Sequence, residues 1–496
     1  MANVVGGGRP VHILKTDRHS FQLDLHALGR ILLEDSVKDK PVVVVAAVGA
    51  CRKGKSFLLN FFLRYLRNKG DDDWLGDPND PLEGFEWRGG SDGHTTGILV
   101  WSEVFMVKTP QGEELAVVLM DTQGTFDCKA AAKVHRAIFT LSTLVSSVLV
   151  YNVSQNIQED DLEHLQLFTE YSRLAQQDTS TEPFQKLQFL VRDWPYPYEA
   201  SYGAEGGRVI LERRLEIAED QDAGMRHLRE RLRSCFAKMV CFLMPPPGKK
   251  AATSQAFNGR LSDIDEEFIK HLLRLAASLL APENLLVKEI NGRKVACQEL
   301  MAYFEAYVHF IKTRPELAPQ SAYEATIQAT NLAAMYLARD FYTTKLLKIW
   351  NSQGSVDRGT MESHHYRFLE EAKDLFANTH KLGGPEYSQH YVDQLTKAIE
   401  GIFDSYSMDF KYSKKRIVDS VAFKAAHAVV TTSLAGVAIG LALVELPVIA
   451  AACGSVGAVS LVGYIYHTVD TYMRKKKMET AGANAQRRAI AEGAYD

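Results

Sequence analysis

The chain has 496 residues, enough for about three domains, with 57 Lys and Arg against 61 Asp and Glu and a formal net charge of −4. That balance excludes the global positive field of a nucleic-acid binder, and 46% apolar against 24% charged residues excludes wholesale disorder. Six cysteines (Cys51, Cys128, Cys235, Cys241, Cys297 and Cys453) form no C-x-x-C pair and have no histidine at ligand spacing, which leaves zinc and thioredoxin-like chemistry unsupported and suits a reducing compartment.

Residues 1–10 are small and Gly-rich and read as a flexible start; the first thirty residues hold no apolar stretch of the signal-peptide kind. From 11 to 311, the continuous apolar runs Pro41–Val48, Leu115–Met120, Val145–Tyr151 and Leu187–Val191 read as strands buried on both faces. Helical patterns such as Ser56–Leu66 and Asp160–Leu174 lie between them, which predicts an α/β domain with a mostly parallel sheet. Pro245, Pro246, Pro247 and Gly248 mark a rigid loop late in that domain.

Residues 312–321, with Pro315 and Pro319, read as a short, stiff linker. Three helical patterns over 322–412 follow. The first spans 322–350; the second shows Phe368, Ala372, Leu375 and Phe376 and ends at Gly383-Gly384; the third repeats Tyr387, Tyr391, Leu395, Ile399, Ile402 and Tyr406. Each has one apolar stripe, so a three-helix bundle is the economical solution.

Residues 425–466 carry a single formal charge, Glu445, followed closely by Pro447. The segments 425–444 and 446–466 each supply the ~20 apolar residues that a membrane span needs, so together they read as a transmembrane hairpin. Lys411, Lys414, Lys415, Arg416 and Lys424 precede it and Arg474 to Lys477 follow, which favours cytosolic placement of both termini and of the tail 467–496.

Within this frame, Gly49-Ala50-Cys51-Arg52-Lys53-Gly54-Lys55-Ser56 fits G-x-x-x-x-G-K-[ST] directly after a strand and opens a helix. Backbone N–H groups of such a loop surround phosphate oxygens, Lys55 would reach the β- and γ-phosphates, and the Ser56 hydroxyl would ligate Mg²⁺. Asp121-Thr122-Gln123-Gly124 follows the neighbouring strand, where a carboxylate holds Mg²⁺ through water and the Gly124 N–H can sense the γ-phosphate. The polar loop Gly89–Gly97 lies between them; Thr95 is the candidate second hydroxyl ligand, with Thr96 its competitor, and His94 reads as a solvated loop histidine. No N-K-x-D follows a late strand. Instead Leu187–Val191 runs into Arg192-Asp193-Trp194, where an aspartate can accept from guanine N1 and N2. Asn152-Val-Ser154 matches a glycosylation sequon without meaning in the cytosol.

Taken together, Gly49–Phe57, Arg88–Ile98, Asp121–Gly124, Asn156–Leu162 and Arg192–Glu199 resemble the motifs of the atlastins, membrane-anchored GTPases of the dynamin superfamily. The likeness covers the domain order over roughly 11 to 470. It implies Arg52 as a cis-acting arginine finger beside Lys55, Ser56 and Thr95 in catalysis, and Ser56, Thr95 and Asp121 at the metal. It further implies a GTP-contact set of Arg52, Lys53, Gly54, Lys55, Ser56, Phe57, Gln123, Gly124, Arg192 and Asp193, with Ala251 and Ser254 in the base-capping loop. Cys51, Gly93-His94, Ala251 and Ser254 depart from the family's usual residues, and the family's amphipathic helix is not recognisable in the tail after 477. The expectation is a GTPase that uses Mg²⁺, dimerises in cis and in trans, enters the bilayer through 425–466 and fuses endoplasmic-reticulum membranes. The alternative is a membrane-shaping scaffold in which GTP binding only regulates assembly. A soluble guanylate-binding-like protein predicts no apolar hairpin.

Overall fold

The computed structural model describes residues 7–17, 20–51, 53–87, 95–124, 132–177, 182–217, 221–313, 318–352 and 358–408. The chain divides into two compact units, Met1–Thr396 and Lys397–Asp496. Of the second, only residues 397–408 are described. The expected hairpin 425–444 and 446–466, its basic flanks and the tail 467–496 lie outside the described residues, as do Arg52, the segment 88–94 and residues 1–6. Among the described residues no helix is long and apolar enough to cross a membrane.

Strand β1 (Pro10–Asp17) and β2 (Ser20–Leu23) form an antiparallel hairpin ahead of α1 (Leu25–Leu32). Then come β3 (Val42–Gly49), α2 (Lys55–Arg67), β4 (Ile98–Trp101), β5 (Phe105–Lys108), β6 (Glu114–Thr122) and α3 (Ala132–Val145). The next elements are β7 (Val148–Ser154), α4 (Glu159–Glu163), α5 (Gln166–Ala175) and β8 (Phe184–Arg192), followed by α6 (Ala204–Arg214), α7 (Ala223–Leu232) and β9 (Phe236–Leu243). Helices α8 (Lys249–Thr253) and α9 (Glu266–Leu280), the small hairpin β10 (Glu289–Ile290) and β11 (Arg293–Lys294), and α10 (Cys297–Thr313) complete this part.

The main sheet runs β2-β1-β4-β6-β3-β7-β8-β9, with β5 beside β6. It is parallel from β6 to β9 and antiparallel beyond β6. Every residue of β3 is buried, as a strand covered on both faces requires. Val43, Val45 and Ala47 pack with α2 and α9 in one apolar cluster that includes Phe61, Leu119 and Leu272. The alternating residues face the other side, because strand side chains repeat every second position. The C-terminal ends of β3, β6 and β8 therefore come together at one edge, the place where open α/β sheets bind ligands.

Two expected elements shift. The strand expected at Val145–Tyr151 begins at Val148, because the apolar run up to Val145 belongs to α3, where Ser142 and Thr143 donate to the carbonyls of Ile138 and Phe139. A short apolar run does not distinguish a buried helix end from a strand. The single helix expected at Asp160–Leu174 is broken into α4 and α5 at His164–Leu165, where the Tyr151 hydroxyl meets both Asp161 and His164 Nδ1.

A helical region follows: α11 (Pro319–Ser352), α12 (Arg358–Asn378) and α13 (Gly384–Met408). Pro319 opens α11 at a position where a missing N–H costs nothing. The second helix stops at Asn378, short of the expected Gly383-Gly384, because the chain from Thr379 is held by α11: Asn331 donates to the Leu382 carbonyl at 3.0 Å and the Leu382 N–H donates to Thr330 at 3.2 Å. Thr326 of α11 meets the hydroxyls of Tyr171 on α5 and Tyr307 on α10 at 2.8 and 3.0 Å, so α11 docks through a buried polar junction.

Beside that junction Lys288 is almost fully buried, and its ammonium donates to the Ser146 carbonyl at 3.0 Å. Burial pushes its pKa from 10.5 down to about 7. Above about pH 7 the folded chain holds this amine neutral while the unfolded chain protonates it up to about 10.5, so the unfolded state binds the extra proton and stability rises with pH across that window. Lys288→Met is accordingly expected to be more stable than wild type near pH 7, with the gap closing by roughly 1 kcal/mol per pH unit toward pH ~9.5. Thermal melts of both proteins across that range read it; a pH-independent gap would show that Lys288 stays charged in the folded chain.

Candidate functional site

The expected phosphate loop, 49–56, is shaped by two glycines. Gly49 closes β3 at φ +128°, and a Cβ there would sit 2.2 Å from the Asn152 carbonyl oxygen, so no other residue fits without moving β7. Gly54 takes φ +74° and starts α2, whose first amides and dipole point back over the loop. Lys55 is 6% exposed, and its ammonium donates to the carbonyls of Gly49 and Ala50 at 3.1 and 2.9 Å.

Parallel pairing sets Ala47 of β3 against Asp121 of β6, which brings the second motif beside the first. Asp121 is 1% exposed. Its Oδ2 accepts from the Ser56 hydroxyl at 2.6 Å and from the Thr95 hydroxyl at 3.3 Å, while Oδ1 accepts from the Thr122 N–H. The two hydroxyls are themselves 3.3 Å apart. Burial raises the Asp121 pKa, opposed by the Ser56 hydrogen bond, the Lys55 charge and the Thr95 hydrogen bond. One carboxylate and two hydroxyls form a hard oxygen donor set of the kind Mg²⁺ takes together with phosphate oxygens and water. Thr95 stands in this cluster; Thr96 is exposed.

Gln123 and Gly124 serve the site differently. The Gln123 side-chain oxygen accepts from the Gly97 N–H at 2.9 Å and the Thr16 hydroxyl at 3.2 Å, and its own N–H donates to the Gly97 carbonyl, so its amide ties β1 and the start of β4 to the turn after β6. A Cβ at Gly124 would lie 2.2 Å from Cys51 Cα, which places this turn in direct contact with the phosphate loop. Phe57 is 7% exposed and turns its ring into the core against Phe61, Trp87, Phe257 and Phe268; toward the loop it offers only backbone.

At the other end of the edge, β8 closes at Arg192 and Asp193 adopts φ +56°, a left-handed conformation that aspartate tolerates better than most residues. Arg192 is buried, its guanidinium 5.6 Å over the Phe268 ring and at 3.4 and 3.5 Å from the Lys53 and Gly54 carbonyls, so it lies beneath the phosphate loop. Burial lowers its pKa against the opposing charge of Asp193. Trp194 fixes the loop that follows, donating to the Met244 carbonyl through its backbone N–H and to the Ala200 carbonyl through its ring. Ala251 lies on α8 and Ser254 caps its C-terminal end, on a short helix with no buried residue. The Asn156–Leu162 segment forms the start of α4, where Gln158 and Asp161 make a capping box and Glu159 pairs with the buried Arg229 of α7.

Two supports escape a motif-based reading. Asn60, on the apolar face of α2 and 0% exposed, clamps Phe85 by its backbone: Nδ2 donates to the carbonyl at 3.0 Å and Oδ1 accepts from the N–H at 2.7 Å. The rings of Phe57, Trp87 and Phe257 pack edge to face or tilted, joining α2, the chain just before segment 88–94 and the chain just after α8. The sequence signal for Asn60 is a polar residue interrupting an apolar helical stripe; the aromatic cluster has none. Among the described residues no group of His, Cys, Asp and Glu is placed to hold a metal ion, and Cys51, Cys235, Cys241 and Cys297 are free thiols.

The family described as "Guanylate-binding protein, N-terminal domain" matches residues 18–289. The chain is 45% identical to atlastin-1 of Macaca fascicularis over 456 residues, 91% of this chain and 81% of that protein. It is 48% identical to human atlastin-2 over 400 residues, covering 80% and 69% of the two chains. Against human atlastin-3 it is 47% identical over 400 residues, 80% and 74% of the two chains.

The Asn60 clamp yields a test. Asn60→Leu keeps the size but leaves a buried N–H and a buried C=O unpaired, which should cost about 2–4 kcal/mol and lower the thermal midpoint by roughly 4 °C or more. A midpoint within about a degree of wild type would mean that Phe85 finds other partners.

Proposed function

The chain belongs to the atlastin family of dynamin-superfamily GTPases, with a guanylate-binding-protein type N-terminal domain, and so binds and hydrolyses GTP; from that premise we propose that it tethers opposing endoplasmic-reticulum membranes as a homodimer and drives their fusion. The observation that carries the catalytic half is the contact of Ser56, Thr95 and Asp121 beside Lys55 at the edge of the parallel sheet. In this reading the GTPase domain expected over 11–311 and the three-helix bundle expected over 322–412 are joined by a linker shorter than the expected 312–321, since α10 runs to Thr313 and α11 opens at Pro319, and 425–466 anchors the chain as a hairpin with both termini cytosolic.

Ser56, Thr95 and Asp121 would hold Mg²⁺, which when bound neutralises charge on the β- and γ-phosphate oxygens. Lys55 exchanges the two loop carbonyls it now touches for phosphate oxygens, and the amides from Gly54 to Ser56 surround the phosphates. Asp193 accepts from guanine N1 and N2; Arg192 braces the loop from below, and Ala251 to Ser254 cover the base. Arg52 supplies the guanidinium that meets charge developing on the transferring phosphoryl group. A finger carried in the loop acts only when turned inward, and pairing of two GTPase domains is the natural trigger. The bundles then draw the anchors together. The scaffold reading differs from this one at a single point, since it allows no lipid mixing driven by hydrolysis.

Two measurements decide these points. GTP and ATP competing for the purified chain should differ at least a hundredfold, and Asp193→Asn should remove most of that preference, because two desolvated guanine donors lose their acceptor at ~3 kcal/mol or more. Equal competition by ATP against wild type would overturn the base assignment. In liposomes, wild type should mix lipids on GTP addition with turnover per molecule rising with protein concentration, while Arg52→Ala should bind GTP yet lose about 10³-fold or more in kcat and all lipid mixing. Near-normal turnover by Arg52→Ala would make Arg52 an ordinary loop cation, and hydrolysis without lipid mixing by wild type would favour the scaffold.

A further inference from the structure

Asn152 has no part in any nucleotide-binding motif and, as a glycosylation sequon, is ruled out by its place: it is 1% exposed near the end of β7, a strand enclosed by β3 and β8. Its side-chain Nδ2 reaches across to the phosphate loop and donates to the Lys53 carbonyl at 2.6 Å. From the adjacent strand, Arg192 reaches the same carbonyl at 3.4 Å, and the register that sets Ser154 against Arg192 explains why both side chains arrive under one peptide. The Asn152 backbone carbonyl is also the atom that a Cβ at Gly49 would strike. The end of β7 therefore floors the loop at both of its ends.

The peptide joining Lys53 to Gly54 is planar and trans, so its C=O and N–H point in opposite directions. Holding the Lys53 carbonyl down against the sheet turns the Gly54 N–H the other way, toward the side where a phosphate would lie. A second observation separates this role from ordinary stabilisation: Asn152 Oδ1 is buried with no hydrogen-bond partner among the described residues, as is Arg192 Nε. An unpaired buried acceptor lowers stability, so the residue costs the fold something at that atom while its other atom serves the loop.

We propose that Asn152 is a positioning residue for the nucleotide reaction, holding the Lys53–Gly54 peptide of the phosphate loop in its anion-binding orientation from beneath. It touches neither the substrate nor the reacting atoms and acts through the loop. This rests on the reading that Gly49–Ser56 is the phosphate site. Because GDP and GTP both present α- and β-phosphates, the effect falls on both nucleotides alike and leaves the preference for guanine over adenine untouched.

The test uses the full-length chain in detergent with fluorescent GDP as probe. Asn152→Leu, which has a similar volume and no donor, should bind GDP at least about tenfold more weakly, while the nucleotide-free thermal midpoint stays equal to wild type or rises. Asn152→Ser, which restores a short donor, should recover part of the lost affinity. Lys55→Ala serves as the control for the site itself: if it leaves GDP binding intact, the phosphate-site reading fails; if it abolishes binding while Asn152→Leu binds within twofold of wild type, only the present proposal fails. A loss in Asn152→Leu that Asn152→Ser does not relieve at all would also overturn it, by showing that size and packing rather than the donor matter. Should the leucine variant not fold, Asn152→Ala is read in the same way.

Discussion

A carboxylate taken out of water must be compensated, and Asp121 at the end of β6 is compensated from three sides at once. Ser56 reaches it from the first turn of α2, Thr95 from the chain entering β4, and the Thr122 N–H from the end of its own strand, with the Lys55 ammonium adding favourable charge. Each donor belongs to a different segment, so the carboxylate fixes their mutual positions. It can do this only because β3 and β6 are parallel neighbours that end at the same level, Ala47 opposite Asp121. Burial raises the Asp121 pKa while Ser56, Lys55 and Thr95 favour its charge, which is the situation of an oxygen site that becomes favourable when a cation joins it.

Around this point the structure spends its polar groups on holding loops in place. Gln123 and Gly97 exchange hydrogen bonds across the turn, Asn60 clamps Phe85, and Asn152 and Arg192 support the Lys53 carbonyl. Asn60, Asn152 and Arg192 are buried and Gln123 is half-buried, and each bonds to backbone, which sets the orientation of the segment it holds. The aromatic contacts among Phe57, Trp87 and Phe257 provide the apolar counterpart, so the loop entering segment 88–94 and the chain after α8 share one packing unit with the phosphate-loop helix. Farther away, Tyr171, Tyr307 and Thr326 make the junction through which α11 docks, again by hydroxyls in a buried setting. A contact of that kind is specific in geometry without being large in area.

Glycine spacing, the Lys-Ser pair, the Asp-Thr-Gln-Gly turn and the alternation of apolar runs with helical stripes were enough to place a mostly parallel sheet and to mark a candidate ligand site at one edge of it, because local chemistry and strand burial dictate these patterns directly. Local pattern also located α11, α12 and α13. It misplaced the start of β7 and merged α4 with α5, since an apolar run has no periodicity that separates a helix end from a strand and nothing local announces that Tyr151 will pair with Asp161 and His164. The direction in which Phe57 and Gln123 face was equally hidden. Both stand inside motifs, yet one points into the core and the other toward Thr16, far away in sequence. By itself the sequence determined the family, the mostly parallel sheet and the helical region after it. Only the tertiary structure decided that Thr95 rather than Thr96 joins Asp121, that Arg192 lies beneath the loop, and that Asn152 supports it, because those choices depend on strand register and burial between segments up to ~140 residues apart, where residue identity alone carries no distance.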